Sequence, residues 1–251
     1  MKKINALTPF LGLALSMLCL TSVQAQTVRV AAAGNLRYIL DDIKALYETE
    51  NPKADIVVTL SASGTLLQQI INGARFDVFM AADKAFPDKL KQEGMANGDV
   101  RVYAYGKLAL WSNSLDLSAG LDVLLNDKVQ RIAIAKPEIA PYGSRAVECM
   151  KYYNIYEKVK HKLVYADNIA QAAQFVQSGN AEVGFLAKAL LFGPEMKGAS
   201  FDVDVASYKP VEQAMVMVKG GERNPDAKKF FDFVLGPKCK PVFEKYGFVV
   251  P

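Results

Sequence analysis

With one histidine and three cysteines in 251 residues, this chain has almost nothing with which to hold a structural metal ion. Zinc sites at neutral pH need several converging Cys or His ligands, and His161 stands alone between Lys160 and Lys162, a surface position. No CxxC pair occurs, and GxSxG, P-loop and GxGxxG signatures are absent as well, so the common hydrolase and nucleotide-binding chemistries lack their motifs. Asp77, Asp83 and Glu138 could be imagined as a catalytic carboxylate pair, but nothing in their spacing unites two of them. Caps and surface charges are the simpler reading. Charge of one sign is missing too: 30 basic against 26 acidic residues gives a formal +4, without the clustered basic surface that nucleic acid demands. After the N-terminal segment, no apolar run is long enough to span a bilayer.

What is present begins with an export signal. Lys2 and Lys3 precede an apolar stretch through Leu11 to Leu20, and Val23 and Ala25 occupy the small-residue positions of a cleavage site. The expected signal peptide is 1–25, cut after Ala25, leaving a mature periplasmic chain from Gln26. Removal of two lysines and no acids lowers the formal charge from +4 to +2. A lipoprotein reading through Cys19 is disfavoured by Leu18, where a small residue belongs. Cys149 and Cys239 remain, and an exported compartment permits a disulfide between them.

From Gln26 onward strands and helices alternate. Thr27–Ala33, Ile56–Leu60 and Phe76–Ala81 read as strands, separated by helices marked by Leu36, Ile39, Leu40 and Ile43, and by Leu66, Leu67, Ile70 and Ile71. Lys84–Glu93 is a third helix, stopped by Gly94. The polar stretch Asn97–Asp99 then separates a second series. Its expected strands are Leu108–Trp111, Arg131–Ala135, Leu163–Tyr165 and Val183–Leu186, and its helices Gly143–Tyr153 and Ile169–Gln177. Ala214–Val218 gives one more strand, and helices Asp226–Leu235 and Pro237–Tyr246 finish the chain. This β-α-β order predicts parallel strands with right-handed crossovers, in two lobes without a long linker.

Chemistry should reside at the strand-to-helix junctions, because ligands of open α/β sheets bind beyond the strands' carboxyl ends. Four junctions carry small or polar residues: Gly34-Asn35, Ser63-Gly64-Thr65, Tyr142-Gly143-Ser144 and Asp167-Asn168-Ile169. Exposed N–H groups and the helix dipole make each a candidate anion site. Each also has an ordinary explanation, since Ser, Thr, Asn and Asp are common N-caps and Gly is common in tight turns. Two junctions fall in each lobe, so a closing cleft could bring all four onto one ligand.

At these same places the sequence resembles the periplasmic molybdate-binding proteins that serve ABC importers. The segments are Val30-Ala-Ala-Ala-Gly-Asn-Leu36, Ser61-Ala-Ser-Gly-Thr-Leu66 with Gln69-Ile70, and Phe76-Asp-Val-Phe-Met-Ala-Ala-Asp83. Ile134-Ala-Lys-Pro137, Ala140-Pro-Tyr-Gly143, Asp167-Asn-Ile169, Val183-Gly-Phe185 and Lys245-Tyr-Gly-Phe248 follow in order. The resemblance implies an α/β, two-lobed type II periplasmic-binding-protein fold, each lobe a mostly parallel sheet flanked by helices. Residues 26–105 plus 212–251 would form lobe 1, and 106–211 lobe 2.

The resemblance further implies that molybdate or tungstate is captured between the lobes, bound as cargo rather than as a cofactor. Its oxygens would be held by Gly34, Asn35, Ser63, Tyr142 and Ile169, with no direct bond to the metal. Oriented N–H and O–H donors can bind a dianion without fixed cations. The implied partners are an ABC permease with its ATPase, for a monomeric protein that performs no chemistry on its ligand. Three departures bear on the ligand. Gly34-Asn35 stands where many members have Ser, and Ala187 stands where the common pattern has a binding Tyr, whose hydroxyl Tyr142 could replace. Third, Arg37 and Arg145 lie near helix starts; either one pointing inward would favour another oxyanion or a small organic anion. An enzyme on the same architecture, such as a porphyrin-precursor deaminase, would need a cofactor-bearing cysteine among clustered arginines. A sensor would need a fused signalling segment.

Overall fold

A computed structural model describes residues 26–251; the expected signal segment 1–25 lies outside the described residues. The strands are β1 (Val28–Ala33), β2 (Ile56–Ser61), β3 (Val78–Ala81), β4 (Ala96–Gly106), β5 (Leu108–Ser112), β6 (Ile132–Ala135), β7 (Leu163–Ala166), β8 (Val183–Ala187), β9 (Ala199–Asp202) and β10 (Val211–Val218). The α-helices are α1 (Arg37–Glu50), α2 (Ser63–Ile71), α3 (Ala85–Gln92), α4 (Pro141–Tyr152), α5 (Tyr156–Val159), α6 (Ile169–Gln177), α7 (Pro225–Val234) and α8 (Lys240–Lys245).

Two five-stranded sheets result, ordered β2-β1-β3-β10-β4 and β7-β6-β8-β5-β9. β1 pairs in parallel with β2 and β3, and β6 with β7 and β8, as the β-α-β order requires. The expectation of mostly parallel sheets needs one correction. β10 pairs antiparallel with both its neighbours and so does β5, which makes both sheets mixed. These reversed strands are the ones that follow a crossing between lobes. β4 passes into β5 through Lys107 alone, and β10 returns from β9.

Two strands are absent from the expected series. β4 runs straight through Asn97–Asp99, and β9 lies in what read as a connection. Both are edge strands. Their outward positions stay wet, so polar residues and even a Gly are tolerated there. The edge of β4 is partly covered by the C-terminus, where Tyr105 and Val249 exchange backbone hydrogen bonds of 2.7 and 3.0 Å.

Burial explains the layers. α1 turns Ile39, Leu40, Ile43 and Tyr47 onto one face of the first sheet together with Phe230, Phe231 and Val234 of α7. Leu66, Leu67, Ile70 and Leu90 cover the other face. The second sheet has one continuous core around Trp111, Ile132, Ile134 and Phe185, and Ala33, Ala62 and Ala82 of the first lobe pack into its margin. Cys149 belongs to the second lobe's core and Cys239 to the first lobe's. Both are free, so the disulfide permitted by the sequence does not form.

Candidate anion-binding cleft

The carboxyl ends of β1, β2 and β6 and the loop after β7 each deliver the chain into the start of a helix. After Ala33 a single 3-10 turn, Gly34–Leu36, leads into α1. Ala62 is extended and α2 begins at Ser63. Pro141 opens α4, where its fixed φ suits the first helical position and its missing N–H costs nothing. Asn168 caps α6, its side-chain oxygen accepting Gln171 N–H at 3.0 Å.

All five residues expected to hold the ligand, Gly34, Asn35, Ser63, Tyr142 and Ile169, line one cleft between the lobes. Ser61, Pro141 and four alanines complete its wall. No charged side chain is among its lining residues.

The polarity of the lining follows from the neighbouring hydrogen bonds. Ser63 is 1 % exposed, and its Oγ accepts Ala82 N–H at 3.0 Å. That use of the oxygen frees the hydroxyl hydrogen to point into the cleft. Gly143 and Ser144 N–H both go to Ala140 O, at 3.0 and 3.2 Å, and Pro141 has no N–H, which leaves Tyr142 N–H as the first uncommitted donor of α4. In α6, Gln171 and Ala172 N–H are taken by the Asn168 side chain and carbonyl. Ile169 N–H is then an orphan of the first turn. Burial pushes the Tyr142 phenol well above its ordinary pKa, so it stays neutral.

The lobes are drawn together around these donors. Gly64 N–H bonds Ile139 O across the cleft at 2.9 Å, and a Cβ on Gly64 would sit 2.9 Å from Ile139 Cα. Only glycine allows this approach. Tyr38 on α1 donates to Glu195 of the second lobe.

Neither arginine lines the cleft. Arg37 is exposed. Arg145, read from the sequence as helix surface unless it points inward, is 8 % exposed and faces another way: it forms an interlobe ion pair with Asp83 at 2.5 Å. It also meets Glu148 at 3.3 Å and Pro210 O at 3.3 Å. Asp83, on its other oxygen, caps Ala85 N–H. Ala187 is buried away from the cleft lining. The Tyr142 hydroxyl is turned toward β4 and β10, 3.3 Å from Gln213 Nε2 and against Gly106, where a Cβ would lie 2.2 Å from it. Ser61 falls in the Ser61–Leu66 segment without an expected contact of its own, and Gln213 carried no expectation from the sequence. A glutamine directly before the apolar run Ala214–Val218 was the available signal for the second.

The family model described as bacterial extracellular solute-binding protein matches residues 28–249. This chain belongs to that family. The solute-binding protein is 37% identical over 246 residues to the molybdate-binding protein ModA of Rhodobacter capsulatus, spanning 98% of this chain and 94% of that one. It is 36% identical over 233 residues to ModA of Azotobacter vinelandii, spanning 90% and 91%. The solved periplasmic molybdate-binding protein of Azotobacter vinelandii superposes with a TM-score of 0.84 at 30% identity, covering 89% of this chain and 99% of that one. A sulfate-binding protein of Mycobacterium tuberculosis superposes at 0.72 with 10% identity, a likeness of fold alone.

Proposed function

We propose that this solute-binding protein captures molybdate or tungstate in its interlobe cleft and delivers it to an ABC importer. The observation that carries the reading is a small cleft without charged side chains into which uncommitted N–H and O–H groups converge. A dianion with four acceptor oxygens satisfies such a lining. A protonated phosphate brings an O–H that would face a donor, and that mismatch disfavours it. Sulfate is fully deprotonated as well and is distinguished by size. The named relatives at 36% and 37% identity are molybdate-binding proteins, which supports the same ligand here.

In this reading Gly34, Asn35 and Ser63 contact the anion from the first lobe and Tyr142 and Ile169 from the second. Closure about the Lys107 and β9–β10 crossings assembles the cage, a familiar response of two-lobed binding proteins. The protein acts as an exported monomer, does no chemistry on its ligand, and presents the closed form to a permease whose ATPase supplies the energy. N-terminal sequencing of the secreted chain should begin at Gln26. Calorimetry against molybdate, tungstate, sulfate and phosphate tests the ligand. Strong heat with the first two supports the proposal; binding of sulfate or phosphate but neither metal oxyanion overturns it.

A further inference from the structure

Gln213 lies at the back of the cleft, on the strand that returns to the first lobe, and is 0 % exposed. Its amide meets three other buried polar side chains. Gln213 Oε1 accepts Asn35 Nδ2–H at 3.0 Å and the Tyr103 hydroxyl at 3.3 Å, while its Nε2–H donates to the Tyr142 hydroxyl at 3.3 Å. One side chain thus joins a cleft residue of the first lobe to one of the second. The arrangement leaves a single flaw: Asn35, 1 % exposed, has an Oδ1 with no hydrogen-bond partner.

An acceptor at that place is wrong for an oxyanion, which offers only acceptors itself. We propose that Gln213 is a positioning residue of the cleft, its amide deciding which end of the Asn35 amide faces the anion. A half-turn of both planar amides exchanges their ends without moving anything else. Gln213 Nε2–H then bonds Asn35 Oδ1 and the Tyr103 oxygen, and Tyr103 donates to Ala81 O, already 3.4 Å away. The Tyr142 hydroxyl donates to Gln213 Oε1. Asn35 Nδ2–H is left free for the anion, and every member of the network has a partner. The two amides must turn together, because a turn of either alone sets two oxygens or two N–H groups face to face. Tyr142 therefore binds the anion through its backbone N–H, with its hydroxyl committed to Gln213.

This inference rests on the anion cleft proposed above, and a double-mutant cycle tests it. Calorimetry with molybdate, tungstate and sulfate is run on the wild type, Gln213→Met, Asn35→Ala and the double variant. Methionine keeps the volume of glutamine without its hydrogen bonds, and the ligand-free unfolding midpoint of each variant reports on the fold. Asn35→Ala and Gln213→Met should each weaken binding by about 10- to 100-fold, and the double variant by no more than Asn35→Ala alone. Losses that multiply, or an unchanged affinity in Gln213→Met, overturn the assignment. Gln213→Glu is a second arm. Its carboxylate offers only acceptors and holds Asn35 Nδ2, so binding should be lost at high pH. Binding should return as the pH falls and the carboxyl, protonated, again offers one donor and one acceptor. An affinity that does not vary with pH in this variant also overturns the assignment. Should the wild type bind sulfate alone, the molybdate reading fails and the cycle run in sulfate still decides the role of Gln213. Should it bind none of the three, both fall.

Discussion

Replacing Ser63 by alanine separates two functions of one hydroxyl. Its oxygen accepts Ala82 N–H at 3.0 Å inside the first lobe, and its hydrogen is directed to the cleft. Losing a charge-assisted hydrogen bond to a dianion costs about 1.5–3 kcal/mol, which is roughly a 10- to 150-fold rise in Kd. Independently, Ala82 N–H becomes a buried donor without an acceptor, at about 1–3 kcal/mol of folding stability. For a chain of this length each kcal/mol lowers Tm by about 2–4 °C. Calorimetry reads the first effect and thermal unfolding of the ligand-free protein the second. Both should appear. A lowered Tm with unchanged Kd would show that the hydroxyl serves only Ala82, and the donor cage would lose its best-defined side chain.

Gly64→Ala should hold the lobes apart, because the added Cβ would meet Ile139 Cα at 2.9 Å. Small-angle scattering should then show no compaction on adding molybdate, and Kd should rise at least about tenfold, the equivalent of ~1.4 kcal/mol. Asp83→Asn leaves the nearly buried Arg145 guanidinium without its closest counter-charge. Since that pair bridges the lobes and Glu148 stays beside Arg145, the closed form should weaken by about 1–3 kcal/mol, read as faster ligand release in stopped-flow chase; an unaltered release rate removes the pair from closure. Burial raises the Cys149 thiol to about 11 and the Cys239 thiol to about 12, so neither forms appreciable thiolate near neutral pH. An aromatic disulfide reagent should label neither in the native protein and both after denaturation, and dithiothreitol should leave Tm unchanged.

The alternation of apolar strands with amphipathic helices made the two-lobed α/β architecture legible in the sequence. Strands such as β3, β6 and β8 are buried on both faces and therefore read as continuous apolar runs. The junction residues were legible as well, since a helix start announces itself by Gly, Ser, Asn or Pro whatever surrounds it. What sequence could not supply was anything that depends on which surfaces meet. β4 and β9 escaped notice because an edge strand satisfies one side from water and needs no apolar run. Cys149 and Cys239 are plausible partners in one dimension and occupy separate cores in three.

Arg145 shows the division most sharply. Its place on α4 followed from local pattern, but an ion pair with Asp83, 62 residues away, turned its charge out of the cleft. Gln213 shows the same from the other side: a polar residue in an apolar strand carried no assignable role until folding set Asn35, Tyr103 and Tyr142 around it. Local sequence determined the helix starts and the small residues there, because dihedral preference and capping act within a few residues. Tertiary structure alone decided which of these starts share one cleft and which charges are kept out of it, because long-range packing fixes those contacts.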